Sequence, residues 1–172
     1  MRRTRDDVHR PAADDFAAGP ADRAFAGSRH PYRRRASLEG LSVLVVDDDQ
    51  ENREAVAANL ATERVRLLTA SSAAEALELL SAEHVDVLLT DIAMPGEDGY
   101  ALVRKMRSMN GTAGTTPAAA LTALARDEDR QHSLDAGFQL HLAKPINSES
   151  LIAAVASLAA LRQTTSIGRR MW

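Results

Sequence analysis

Four groups of side chains in this sequence could do chemistry together: Asp47-Asp48-Asp49, Asp91, Thr122 and Lys144-Pro145. Carboxylates a few ångströms apart repel, and one of them would stay protonated unless a cation joined them. Hard oxygen donors with only two or three protein carboxylates suit Mg2+, which keeps waters and shares its remaining positions with a phosphate. A carboxylate is also a nucleophile toward phosphorus, giving an aspartyl phosphate. Phosphoryl transfer then needs positive charge and donors around three oxygens. Mg2+, the Lys144 ammonium and the Thr122 hydroxyl would supply them. The chemistry these residues point to is metal-assisted transfer of a phosphoryl group onto a carboxylate.

These groups can cooperate only if the fold brings them to one edge. Each ends a short apolar run. Leu41–Val46 is apolar and β-branched, as a strand buried on both faces should be. Val65–Thr69, Val85–Thr90, Pro117–Leu121 and Leu140–Ala143 read as further strands. Helical stretches alternate with them: Glu51–Ala61, the segment opened by the capping box Ser72-x-x-Glu75, Asp98–Ser108, Asp127 to the stop at Gly137, and Ser148–Leu161. Five strand–helix alternations predict an α/β fold, a parallel sheet with helices on both faces. In such sheets ligands bind beyond the carboxyl ends of the strands. Strands one, three, four and five end in the triple acid, Asp91, Thr122 and Lys144; strand two ends in Thr69-Ala70-Ser71, which reads as plain helix entry.

Taken singly, each group has a structural explanation. Asp49 is an N-cap candidate, Thr122 a strand-end hydroxyl and Lys144 a surface cation. As a set on one sheet edge they call for a shared role. Other chemistries fit worse. Asp47-x-Asp49-x-Glu51 begins like a calcium loop, but Asn52 stands where glycine is needed and Ala58 where the twelfth-position glutamate belongs. The five histidines have no ligand spacing, and no Gly-x-Gly or Gly-Lys-Ser/Thr loop occurs. The absence of cysteine removes thiol nucleophiles, disulfides and Cys-based zinc sites.

Charge separates two regions. The 172 residues carry 21 basic and 24 acidic side chains, net −3. Residues 1–39 hold nine arginines against six acids, +3, and the remainder is −6. The first 39 residues, rich in Arg, Pro and Ala, have no sustained apolar period and are expected to be a disordered arm. Within it Arg33-Arg34-Arg35-Ala36-Ser37 could contact an anionic surface or present Ser37 to a kinase, although a solvated linker is the simpler reading. An acidic domain behind a short basic arm argues against a dedicated nucleic-acid binder. No apolar stretch approaches the roughly 18 residues of a membrane helix, and no export signal is visible. A cytoplasmic location is expected.

Residues 41–162 resemble the receiver domain of bacterial two-component response regulators. The resemblance rests on Val43–Asp49, Leu89–Tyr100, Ala120-Leu121-Thr122-Ala123 and Leu142-Ala143-Lys144-Pro145, whose order and spacing agree with the family. The phrase Ala136–Pro145 is most similar to receivers fused to hybrid sensor kinases. The resemblance implies a flavodoxin-like (βα)5 doubly wound sheet, strand order 2-1-3-4-5. It implies Asp91 as phospho-acceptor from a phosphohistidine of a sensor histidine kinase or histidine phosphotransfer protein. Asp48 and Asp91 would bind Mg2+ directly, Asp47 through water and Ala93 through its carbonyl. Thr122 would move to the phosphate, Lys144 would form its salt bridge, and the Lys144-Pro145 bond would be cis.

Two departures stand out. The switch position is commonly Tyr or Phe and here is His141, which implies a weaker or pH-sensitive readout. In the family the positions of Ala93 and Leu124 influence water attack on the acyl phosphate; Ala93 has no amide or acid to orient water and Leu124 would shield the phosphate, which implies a phosphoryl state lasting minutes to hours. The domain is expected over residues 40–162, with a tail at 163–172 too short for a DNA-binding or enzymatic output domain. Ile167, Met171 and Trp172 could add a docking element, but a frayed tail is the simpler expectation. Output would then be contact with a downstream protein or onward relay. The fourth and fifth helices and fifth strand would form the partner or dimer face. The chain would be no enzyme beyond its own phosphorylation and dephosphorylation. The rivals are a binding module that is never phosphorylated, an aspartyl-nucleophile phosphatase, and nucleic-acid binding by the arm.

Overall fold

The computed structural model describes residues 37–123 and 127–167. Five strands alternate with five helices: β1 (Ser42–Val46), α1 (Gln50–Leu60), β2 (Arg66–Ala70), α2 (Ala73–Ala82), β3 (Val87–Asp91), α3 (Gly99–Ser108), β4 (Ala118–Thr122), α4 (Asp127–Ala136), β5 (Leu140–Ala143) and α5 (Ser148–Ile167). The strands are all parallel, in the order β2-β1-β3-β4-β5. This is the flavodoxin-like doubly wound sheet.

Alternation along each strand decides which helices it meets. Leu44, Val46, Leu88, Ala118 and Ala120 pack with Ala76 and Leu80 of α2, Leu102 and Met106 of α3, and Phe138. Val43, Val45, Val87, Leu89, Ala119 and Leu121 pack on the other face with Val56 and Leu60 of α1 and Leu151, Val155 and Leu158 of α5. Both faces are covered, so β1, β3 and β4 are buried throughout. The three consecutive alanines of β4 have low strand preference. They form a strand because β3 and β5 pair with them on either side.

Several boundaries differ from the sequence reading. Leu38 lies inside the stretch expected to be a disordered arm, yet it is 1% exposed and packs with Val43, Leu60 and Leu158. The arm's residues 1–36 lie outside the described residues. β3 begins at Val87 rather than Val85, because Asp86 turns aside: its Oδ2 accepts from the Ser42 amide at 2.9 Å. α5 runs to Ile167, six residues beyond the expected end at Leu161. Apolar periodicity stops near Leu161, but no glycine or proline interrupts the chain before Gly168. Arg162 helps to hold this extension: its guanidinium donates to the Val85 carbonyl and lies 3.6 Å from Asp86. Residues 168–172, including Met171 and Trp172, lie outside the described residues.

Candidate functional site

The site is assembled by helix entries. Asp49 caps α1, its Oδ1 accepting from the Glu51 amide at 2.8 Å, and so turns the chain sharply after Asp47 and Asp48. Asp98 caps α3 in the same way through the Ala101 amide at 2.7 Å. Gly99 follows, because a β-carbon there would collide with the Asp91 carbonyl oxygen. The lack of a side chain lets α3 begin directly against the end of β3. At α2 the Ser72 hydroxyl accepts from the Glu75 amide, as a capping box requires. The Glu75 carboxylate, however, turns to the amide and hydroxyl of Ser71, at 2.7 and 2.9 Å, which departs from the expected reciprocal bond. Those bonds hold the Glu75 pKa below the usual carboxylate value.

Carboxylate oxygens of Asp47, Asp48 and Asp91 lie within 4.8 Å of one another. Asp47 and Asp91 are buried, at 2% and 6% exposure, while Asp48 is exposed. Lys144 reaches in from β5, its Nζ 2.8 Å from Asp47 Oδ2 and 2.9 Å from Asp91 Oδ1. Burial presses the Lys144 pKa down, but the hydrogen bonds and charges of Asp47 and Asp91 outweigh it, and the ammonium ends above its ordinary value. The Lys144-Pro145 bond is cis. Thr122, 7% exposed, ends β4, and its carbonyl accepts from the Lys144 amide at 2.7 Å. Ala93 is exposed in the loop after β3.

Two neighbours hold Asp47 that the sequence reading missed. Asn52 Nδ2 lies 3.3 Å from Asp47 Oδ1, which also accepts from the Asp49 amide at 3.0 Å. Arg53 Nη1 donates to the Asp47 carbonyl at 2.6 Å. Both lie on the first turn of α1, five and six positions past Asp47, and read in sequence as ordinary polar helix residues.

The chain fits a divalent cation. Three carboxylates against one ammonium leave a charge of −2 among four groups, and the donors are all hard oxygens. Both Asp47 oxygens already have donors, whereas Asp48 faces solvent. Among the described residues no histidine joins the cluster.

His141 sits on β5 opposite Ala120, half-buried. Its Nδ1 is 3.2 Å from the Ser133 hydroxyl of α4, and its Nε2 is buried without a hydrogen-bond partner. Leu124 lies outside the described residues.

A family model, the response regulator receiver domain, matches residues 43–156. The chain belongs to the response regulator receiver family. The receiver is similar to an uncharacterized 14.6 kDa protein from the sodA1 3′ region of Leptolyngbya boryana, 41% identical over 119 residues, which cover 69% of this chain and 90% of the relative. It is also similar to the sensor histidine kinase RcsC of Escherichia coli K12, 35% identical over 108 residues. That match takes in 63% of this chain and only 11% of RcsC. Among solved structures it is similar to the chemotaxis protein CheY4 of Vibrio cholerae, with a TM-score of 0.66 at 29% identity, covering 69% of this chain and 98% of that one. The receiver is thus a phosphorelay signalling domain. Among the described residues no helix is long and apolar enough to cross a membrane.

Proposed function

We propose that Asp91 accepts a phosphoryl group from a phosphohistidine of a sensor histidine kinase or histidine phosphotransfer protein. The observation that carries this reading is the Lys144 ammonium, which lies within 3 Å of both Asp47 and Asp91, with Asp48 beside them. An Asp91 oxygen attacks phosphorus; the new O–P bond forms as the N–P bond to the donor imidazole breaks, and the imidazole takes up a proton. Lys144 stays beside the acceptor and offsets the added charge. Thr122 turns its hydroxyl to a phosphoryl oxygen and draws the following loop with it. Asp48, Asp91 and the Ala93 carbonyl would hold Mg2+ directly, with Asp47 acting through water. When bound, Mg2+ supplies positive charge to the phosphoryl oxygens in flight.

Ala93 has no amide or acid to orient an attacking water, so the acyl phosphate persists for minutes to hours. The signal is read as protein contact at the face of α4, β5 and α5, which also serves as a dimer face. His141 replaces a larger aromatic there and gives a weaker readout. The functional unit is residues 40–162, with Leu38 and the end of α5 reaching past those bounds into the arm at 1–39 and the tail at 163–172, in the cytoplasm. The domain does no chemistry on any substrate but itself. Incubation with a small phosphodonor and Mg2+ tests the reading. Intact mass should show one added phosphoryl group, absent without Mg2+ and absent in Asp91→Ala. No adduct on the parent chain, or an unchanged one on the variant, would remove it.

A further inference from the structure

Arg107, near the end of α3, is a charged side chain with five hydrogen bonds and no carboxylate partner among the described residues. Its Nε and Nη2 donate to the Gly137 carbonyl at 3.2 and 2.7 Å. Nη1 donates to the carbonyls of Thr116, at 2.6 Å, and Gly114, at 3.2 Å. Nη2 also reaches Gln139 Oε1 at 3.2 Å. These acceptors come from the turn before β4 and from the turn between α4 and β5. Carbonyls at a helix C-terminus carry partial negative charge, so they suit a cation. A planar fork can engage several of them in one geometry, which an ammonium cannot. Gln139 completes the knot: its Oε1 accepts from the Ala118 amide at 2.7 Å and its Nε2 donates to Gly137 at 3.0 Å. Gly137 is itself shaped to Arg107. It has φ of +101°, and a β-carbon there would lie 3.1 Å from Arg107 Nε.

Besides the Tyr100–His132 ring contact and the packing of Ala136, α4 is held by polar contacts of different quality at Gly137 and at Ser133. At Gly137 the attachment leaves the guanidinium well supplied with acceptors. At Ser133 the hydroxyl makes a 3.2 Å contact with His141 Nδ1, and this contact leaves His141 Nε2 buried and unpaired. A buried unpaired nitrogen opposes the contact that buries it. A displacement of α4 costs least if it releases Ser133 and spares Gly137.

We infer that Arg107 is a positioning residue that pins the C-terminal end of α4, so that α4 moves as a lever about Gly137 when the site is phosphorylated. The movement takes place at the contact between Ser133 and His141 and toward Thr122, while Gly137–Gln139 stays in place. The trigger rests on the proposed phosphorylation of Asp91; the pin does not.

Amide spectra of the full chain test this, recorded with and without Mg2+ plus beryllofluoride, a stable mimic of a phosphoryl group on a carboxylate. Asp91 and Ile92 should shift, and Ser133 and His141 with them. Gly137, Phe138 and Gln139 should shift several-fold less. In Arg107→Lys, which keeps the charge and loses the fork, these three should shift as far as Ser133. Gln139→Ala, a milder change, should give an intermediate pattern. Shifts at Gly137–Gln139 equal to those at Ser133 in the parent chain would overturn the pin, as would an unchanged pattern in Arg107→Lys. If that variant does not fold, the parent comparison decides alone.

Silence at Asp91 and Ile92 would count against the phospho-acceptor reading, and hydrogen exchange without the mimic then judges the pin. The Gly137 and Phe138 amides bond to the carbonyls of Leu134 and Ser133, both at 3.0 Å. Their exchange should accelerate in Gln139→Ala, and more in Arg107→Lys, beyond any change at the β1 amides. Equal acceleration everywhere, or none, would overturn it.

Discussion

The two ends of this sheet both carry buried or half-buried charge, and they treat it in opposite ways. At the end where the strands finish, Asp47, Asp48 and Asp91 face a single Lys144, and two negative charges are left over. At the other end Arg107 makes five hydrogen bonds to four neutral acceptors, and Asp86 accepts from Ser42 and lies beside His84 and Arg162. Charge at that end is answered by fixed groups of the chain. The difference separates a site from a strut: a network that satisfies itself holds the fold, while one left out of balance is ready for a ligand that restores it.

The largest expected effect breaks function at the first end and leaves the fold alone. Asp91→Ala should abolish phosphoryl incorporation, and Lys144→Ala should slow it by about a hundredfold, the scale of losing one charge-stabilising donor. Urea denaturation of Asp91→Ala should show stability equal to or above the parent, since one of three repelling carboxylates is gone. The second effect is the mirror image. Arg107→Met strands the carbonyls of Gly137 and Thr116 and should cost about 2–4 kcal/mol, read by the same denaturation, while Asp91 still takes its phosphoryl group. Loss of phosphorylation with little loss of stability would dissolve the contrast between the ends.

Third, Mg2+ at a hundredfold excess over its Kd should stabilise the chain by about 2.7 kcal/mol. Asp48→Asn should remove most of that gain in a thermal melt. Fourth, Asp49→Ala should cost about 1 kcal/mol as a lost N-cap and slow phosphorylation far less than Lys144→Ala does, which would show that one of the three consecutive acids belongs to the scaffold. The smallest effect is alkaline. The Lys144 pKa is raised in the folded chain, so its stabilisation is complete below the ordinary lysine pKa and fades as pH rises through the higher folded value. The stability difference between the parent and Lys144→Met should shrink over that window.

The sheet was legible because the residues that fill it have little choice. Runs such as Val43–Val46 and Val87–Leu89 can be buried on two faces only in a covered parallel sheet, and the polar residues that end them mark the edge where a ligand would sit. The acids and Lys144 could be gathered for the same reason, since each closes a strand. What escaped the sequence depends on distant partners. Leu38 looks like part of a polar arm until Leu60 and Leu158 cover it. Arg107 looks like a solvated helix charge, because its acceptors are backbone carbonyls, and carbonyls leave no trace in residue types. Asn52 and Arg53 escaped likewise: their bonds to Asp47 come from the turn that Asp49 sets. The six extra residues of α5 carry no apolar rhythm and depend partly on Arg162 reaching Val85 and Asp86.

The central claim is that the acceptor is Asp91 and no other acid of the cluster. Hydride reduction of the phosphorylated chain converts an aspartyl phosphate to homoserine, and peptide mapping then locates it. The account predicts homoserine at position 91 alone, dependent on prior exposure to phosphodonor and Mg2+. Homoserine at position 47 or 48, or none anywhere in a chain that has gained a phosphoryl group, would contradict it.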